Sequence, residues 1–383
     1  MYSISYIILF LVYALMALLH HLVTSETYRM WLKIASVVLF MLFFGFRGFV
    51  GDDWIIYYPN FDGMYDDNFS NVLLSVNASN FEPGFSFIQA FCKWIYPDYH
   101  FLVFVCCAIN CTLLYLFIRK NVDNLPLAFM VFICMSGTEL QINLLRNSMS
   151  ILLCMNALTY LENRKPLQYF LICIIAMSIH ISSVVFIFLY FIVHIHYSKW
   201  LYISLLLFAT VFLLMKINFI SFFLIKIASS MGEVYEELVR AYLEGEYAKA
   251  KSVISFGFIE RLMTGILIFC YYDKLVTINK SNVIFINLFL LYYFSFAFFR
   301  EFDIAARRVA LLFVFTYWVI WCDLLKCFVV KGNKILFATF LICYGVLKVH
   351  NMTNEPKARY DNILFGAKSY EERYTIYMLT KEE

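Results

Sequence analysis

A chain of 383 residues that is 63% hydrophobic, 20% aromatic and only 15% charged, with a mean hydropathy of +0.75, lies far outside the composition of soluble globular domains. It reads as a polytopic, all-helical membrane protein forming one domain over residues 1–383. A formal charge of +3 without a long basic run argues against a nucleic-acid partner. Most of the eleven cysteines sit inside apolar runs without C-x-x-C spacing, so they read as small buried hydrophobes, and no spacing of Cys, His or carboxylates calls for a metal or cofactor.

Apolar runs of helical length follow one another at Ser3 to Leu22, Trp31 to Val50, Phe101 to Ile118, Leu125 to Gly137, Ile142 to Leu161, Leu167 to Ile195, Trp200 to Met215, Val253 to Tyr272, Val283 to Phe299, Val309 to Leu325 and Ile335 to His350. The first lacks a basic leader and a small-residue cleavage site, so it is expected to be a retained helix. The sixth is long for one crossing and short for two. Charge parity arbitrates: the basic loops Arg29 to Lys33, Arg119 to Lys120, Arg164 to Lys165, Lys199, Lys274 to Lys280 and Lys326 to Lys334 fall on one side only if Leu167 to Ile195 is a hairpin of short helices turning near His180. The expectation is about twelve crossings, both termini outside, a re-entrant-like turn at His180, outer loops 51–83 and 217–251, and an outer C-terminal tail 351–383.

This topology brings the costly cations to one face. Arginine near the bilayer centre costs roughly 2.5 to 3.5 kcal/mol on insertion scales, so a retained one implies an anionic ligand or an internal partner. Arg47 opens an outer loop without Lys or Arg; Arg146 lies about one turn into a helix that starts outside; Arg300, Arg307 and Arg308 bracket an outer turn; His180 sits at an outer tip. If that turn is helical, Arg300 and Arg307 share a face, where guanidinium forks can grip phosphate oxygens. Internal salt bridges are the competing reading for each arginine, with Glu139 as the partner of Arg146, and Arg47 could simply snorkel to the interface. Among the carboxylates, Glu82 stands in the turn Glu82-Pro-Gly-Phe, and Asp53 stands beside Trp54, Tyr57 and Tyr58, a surface suited to sugars; Asp62, Asp66 and Asp67 read as solvated charge.

Taken together, Gly51-x-Asp53-x-x-x-Tyr57 after Arg47, Glu82-Pro-Gly-Phe85, Arg146 in a helix, His180-x-Ser182, and Arg307 or Arg308 before the penultimate helix resemble the EpsG-type branch of Wzy-like polysaccharide polymerases. Two departures stand out: Asn147 follows Arg146 where the family carries Gln, and Asp52 replaces a small residue before the loop aspartate, so either Asp52 or Asp53 could take the family role. The resemblance implies a bacterial inner-membrane, metal-independent glycosyltransferase without a cofactor. Its substrates would be oligosaccharide repeat units on undecaprenyl diphosphate, as donor and acceptor, joined at the periplasmic or outer face to make O-antigen, capsule or exopolysaccharide. Membrane lipid surrounds such an enzyme, and a chain-length regulator is a candidate partner.

The chemistry such a reaction needs matches the inventory. Arg146, Arg307 and Arg308 would stabilise the leaving diphosphate, with Arg47, Arg300 and Tyr57 in support, and His180, Glu82 or Asp53 would meet the acceptor hydroxyl. Two other classes would also use membrane-embedded polar groups. A lipid-linked oligosaccharide flippase should spread its cations through the bilayer depth and show internal repeats, and neither is seen. A membrane O-acyltransferase of surface polysaccharide would aim its histidine at an acyl donor.

Overall fold

The computed structural model describes residues 2–65, 69–216, 219–233, 236–237, 240 and 255–382. Asp66, Asp67 and, of the expected outer loop 217–251, residues 217, 218, 234, 235, 238, 239 and 241–251 lie outside these residues. The described helices gather into two compact units, Met1–Ile192 with Val329–Glu383, and Val193–Phe328. The first unit holds α1 (Ile4–Leu22), α2 (Glu26–Phe40), α3 (Trp54–Asp62), α4 (Phe69–Ala78), α5 (Pro83–Ile95), α6 (Tyr99–Asn121), α7 (Leu125–Phe132), α8 (Thr138–Ile142), α9 (Leu145–Glu162), α10 (Pro166–Ile179) and α11 (Val185–Ile192). The second holds α12 (Lys199–Leu214), α13 (Phe219–Met231), α14 (Phe256–Cys270), α15 (Tyr272–Ile278), α16 (Asn282–Phe298), α17 (Asp303–Leu311) and α18 (Thr316–Cys327); the chain then returns to the first unit as α19 (Lys331–Thr353) and α20 (Tyr370–Glu382). Among the described residues there is no β-strand, only an isolated antiparallel bridge between Arg47 and Asn362.

Among the described residues, five helices are long and apolar enough to cross a membrane: Ile4–Leu22, Glu26–Gly45, Tyr99–Asn121, Leu125–Ile142 and Lys331–Thr353. A bent pair, Ala305–Leu311 with Thr316–Cys327, makes a sixth if counted as one span, and several shorter apolar helices accompany them. The chain is therefore a helical membrane protein. Helix α1 shows why: Tyr6, Phe10, Tyr13, Ala17 and His20 recur at three- and four-residue steps on its buried face, while the opposite face exposes Ile4, Ile8, Leu11, Leu15 and Leu18. A helix that is apolar on both faces suits lipid on one side and protein on the other.

Helices α6 and α9 run in the same direction. Helix α6 is 23 residues long, about 33 Å from first to last residue. At its start, Tyr99 stacks on Phe49 (5.5 Å) beside Tyr58; at its end, Lys120 meets Thr159 (2.7 Å) and Glu162 (3.8 Å), near the end of α9. Arg119, Lys120 and Glu162 thus occupy one end, and Tyr99 and Arg146 the other.

The expected turn at His180 is present. Helix α10 stops at Ile179, His180 adopts extended φ −153° and ψ 124°, and a 3-10 turn over Ile181–Val184 leads into α11. The chain folds back on itself: the Tyr169 hydroxyl donates to the Phe186 carbonyl (2.6 Å), and the Tyr169 and Tyr190 rings lie 5.2 Å apart.

The tail is woven into the first unit. The Tyr6 hydroxyl donates to the Ala358 carbonyl (2.9 Å), Tyr360 stacks on Phe43 (4.1 Å), and Asn362 Nδ2 donates to the Leu42 carbonyl (2.9 Å). Helix α20 then lies over α3, with Tyr370 stacked on Tyr58 (4.3 Å) and edge-on to Trp54 (5.5 Å). Each such aromatic pair is worth roughly 0.5 to 1.5 kcal/mol beyond area burial. Tyr370→Ala is expected to destabilise the purified protein by about 2 kcal/mol and to open residues 51–65 to proteolysis; unchanged melting and an unchanged cleavage pattern would leave α20 without a structural role.

Candidate active site

Four helix ends meet around one carboxylate. Glu82 is the N-cap of α5, with extended φ −60° and ψ 144°, and Pro83 occupies the first helical turn. Gly84 lets this turn touch the end of α10: a Cβ there would stand 2.8 Å from the Ser178 carbonyl oxygen and closer still to its hydroxyl. That approach sets Glu82 against the His180 turn. Its Oε1 accepts from the Ile181 backbone N–H (3.2 Å) and lies 3.6 Å from His180 Nδ1, while its Oε2 pairs with Arg146 Nη1.

Arg146 sits in the first turn of α9, at the positive end of the helix dipole, where a cation is unfavourable without an anion in front of it. Its Nε donates to the Tyr57 hydroxyl (3.1 Å), and its guanidinium lies over the rings of Phe81 (4.4 Å), Tyr57 (5.7 Å) and Phe85 (5.9 Å). Glu82 and Arg146 are 21% and 22% exposed, so the pair is mostly desolvated yet reachable. The described hydrogen bonds use two of the five guanidinium N–H groups. Tyr57 continues the network, since its hydroxyl hydrogen-bonds to the Asp53 carboxylate one helical turn earlier. Burial and then Asp53 raise the Tyr57 pKa, against the lowering effect of Arg146, so it remains a phenol at neutral pH.

His180 is held from its own turn. Its Nδ1 accepts from the Ser182 backbone N–H (3.2 Å), which leaves the proton of the neutral ring on Nε2. The Ser182 hydroxyl donates to Asn147 Oδ1 (3.0 Å), tying the turn to α9 beside Arg146. Sequence reading passed over Phe81, Asn147 and Ser182 as site residues, although the departure to Asn at 147 was the signal for one of them.

Five candidate residues from the sequence, Asp53, Tyr57, Glu82, Arg146 and His180, are therefore one connected cluster, with Glu82 rather than Glu139 as the described carboxylate partner of Arg146. Asp52 faces away: its side chain pairs with Lys357 (3.0 Å) and its N–H donates to Asn143 Oδ1 (2.9 Å). Gly51 makes that second contact possible, having φ +90° and no room for a Cβ beside Ile142 and Asn143. Arg47 is not brought into this cluster. It is 3% exposed, its Nη1 donates to the Phe44 carbonyl (2.7 Å), and Gly48 N–H donates to the Asp361 carbonyl (3.1 Å), so this stretch anchors the tail. Arg300, Arg307 and Arg308 belong to the second unit. Arg300 lies in the turn before α17, so it and Arg307 do not share a continuous helix, and Arg307 and Arg308 are exposed on α17. The second unit also holds Arg261, unremarked in the sequence, whose guanidinium lies 3.8 Å from the centre of the Phe296 ring.

Burial disfavours the charged form of Glu82, but its own backbone N–H and that of Ile181, then Arg146 and His180, outweigh that and lower its pKa below the ordinary 4.5. A carboxylate with a depressed folded-state pKa contributes stability that is complete above its unfolded value and is lost as pH falls through the folded one. Wild type should therefore melt above Glu82→Gln at neutral pH, with the gap closing below 4.5; a gap that persists in acid would mean that the carboxylate charge is not what holds the cluster. Gly84→Ala should cost about 1 to 3 kcal/mol, because the added Cβ must push α5 off Ser178.

A family model described as the EpsG family matches residues 30–365, whereas no curated protein and no solved structure matches. With most of its length covered by that model, including every residue of the cluster, the chain belongs to the EpsG family.

Proposed function

We propose that this protein is a polysaccharide polymerase, a metal-independent glycosyltransferase that joins oligosaccharide repeat units carried on undecaprenyl diphosphate. The observation that carries the reading is Arg146, seated between Glu82 and Tyr57 at a helix N-terminus with His180 alongside. In the reaction, an acceptor hydroxyl attacks the anomeric carbon, the anomeric C–O bond to the diphosphate breaks, and the hydroxyl proton passes to a base. The departing diphosphate gains charge, which the remaining Arg146 donors can stabilise as it develops. Arg307 and Arg308, and Arg300 in support, are proposed to bind phosphate oxygens on the chemistry of their guanidinium groups; Arg47 supports the site through the tail that it anchors.

Glu82 is the proposed base. Paired with Arg146 it is a weak one, and a diphosphate that draws the guanidinium to itself would release the carboxylate and raise its basicity when the donor is bound. His180, with its proton on Nε2, is suited to orient the acceptor oxygen by donating a hydrogen bond. Asp53 aligns Arg146 through Tyr57.

The proposed setting is a bacterial inner membrane with about twelve crossings, in which the shorter apolar helices also span and the cluster faces the periplasm or cell exterior. The common direction of α6 and α9 supports it, since Arg119, Lys120 and Glu162 lie at the end away from Arg146.

Chain-length profiling of surface glycan after deletion and complementation tests the reading. Loss of long chains with single repeats retained is the expected outcome, whereas accumulation of lipid-linked units on the inner leaflet would point to a flippase and sink it. With a defined lipid-linked repeat unit, Arg146→Ala is expected to lose about 10² to 10³ in turnover, with Lys restoring only part of it. Glu82→Gln should lose about 10² to 10⁴, while His180→Gln keeps most of the rate that His180→Ala loses. Full activity in Glu82→Gln would remove the base assignment.

A further inference from the structure

At the opposite end of α6 from Tyr99, a cavity of about 360 Å³ opens among the ends of α1, α2, α6 and α7. No step of the proposed reaction uses it. Ligand sites run from about 300 to 1,000 Å³, so its size suits a small polar group. Its lining carries three cations, Arg29 and Lys33 from α2 and Arg119 from α6, and two carboxylates, Glu26 and Asp123. Arg29 is committed, its Nη1 to Glu26 (2.8 Å) and its Nε to the Val23 carbonyl (2.9 Å). Lys33 and Arg119 form no ion pair with the described residues, and Arg119 rests over the Tyr115 ring at 5.5 Å.

The floor of the cavity supplies a second observation. His20 lines it and is only 7% exposed, yet its Nε2 has no hydrogen-bond partner among the described residues. A buried, unsatisfied ring nitrogen costs free energy unless something outside the chain completes it. Two uncommitted cations, a tyrosine and an orphaned imidazole around a small cavity have the chemistry of a phosphate site. The surroundings indicate where the phosphate comes from. Tyr28, Met30 and Trp31, adjoining Arg29 and Lys33 in sequence, are 66%, 60% and 63% exposed, and Tyr and Trp mark the level of lipid headgroups.

We propose that this cavity binds the phosphate of an anionic phospholipid headgroup from the surrounding leaflet. Lys33 and Arg119 supply the charge, and His20 fixes the depth of the phosphate through Nε2. Binding here would tie the ends of α1, α2, α6 and α7 together, at the end of α6 away from Tyr99.

The test uses the purified full-length protein in detergent, with native mass spectrometry and thermal unfolding as readouts. The probes are dioleoylphosphatidylglycerol, dioleoylphosphatidylcholine and inorganic phosphate. Phosphatidylglycerol is expected to bind and raise the melting temperature more than phosphatidylcholine. Each basic residue near an anionic surface is worth about fivefold in affinity, so Lys33→Gln with Arg119→Gln should weaken phosphatidylglycerol about thirtyfold. Should the double variant fail to fold, Lys33→Gln alone should still weaken it about fivefold, and His20→Gln should weaken it without a change in net charge. Inorganic phosphate that displaces the lipid supports the phosphate site and identifies a soluble anion as a second source. Equal binding of the two lipids, or phosphatidylglycerol binding that no variant alters, overturns the proposal.

Discussion

The arrangement at the helix ends around Arg146 depends on a carboxylate that several groups need at once. Glu82 offsets the charge of Arg146 and accepts from the backbone of the His180 turn. A charge-assisted hydrogen bond is worth about 1.5 to 3 kcal/mol, and leaving its partner buried alone costs a similar amount. Arg146 is especially exposed to that penalty, because it stands at a helix N-terminus, where the dipole favours an anion, and the ring faces of Phe81, Tyr57 and Phe85 offset only part of its lost hydration. What makes Glu82 a good structural partner also makes it replaceable in the proposed reaction, where the diphosphate would take the place of the carboxylate beside Arg146.

The rest of the first unit keeps these helix ends in register. Tail residues Lys357 to Asn362 pair with the stretch from Leu42 to Asp52, and α20 stacks its tyrosines on α3, whose Asp53 and Tyr57 steady Arg146 from the other side. The family model ends at residue 365, so α20, starting at Tyr370, is a feature of this chain beyond the family match. Its rings at Tyr370, Tyr374 and Tyr377 repeat at helical spacing, and two of them, Tyr370 and Tyr377, reach Trp54. The polar look of the tail hides this role, because charges alternate with the aromatic face that packs.

Much of the site was legible because the relevant signals are local. Asp53 and Tyr57 are four apart on one helix, so their contact follows from helical geometry. Glu82-Pro-Gly marks a capped helix start, and the break at His180 follows from a run too long for one crossing whose single-helix alternative violates charge parity. The partner of Arg146 was not legible in this way. Glu139 is the nearer carboxylate in sequence and spaced to share a face, but the chain breaks at Asn143 and Leu144, between α8 and α9, and that face does not exist. Arg47 likewise read as a ligand-binding cation at a helix end, while its contacts are to the Phe44 carbonyl and the Asn362 bridge.

The sequence alone determined the helical class, the membrane setting, the family and the residue types at the site, since hydropathy, charge and local spacing are additive along a chain. Tertiary structure decided which carboxylate meets which arginine, that Asp53 rather than Asp52 joins the cluster, and that the tail belongs to the fold. Those outcomes turn on contacts between segments tens to hundreds of residues apart, such as Glu82 with Arg146 and Asp52 with Lys357. No periodicity encodes them, because a charged side chain takes whichever opposite charge the packing brings within reach, and packing is set by all the helices together.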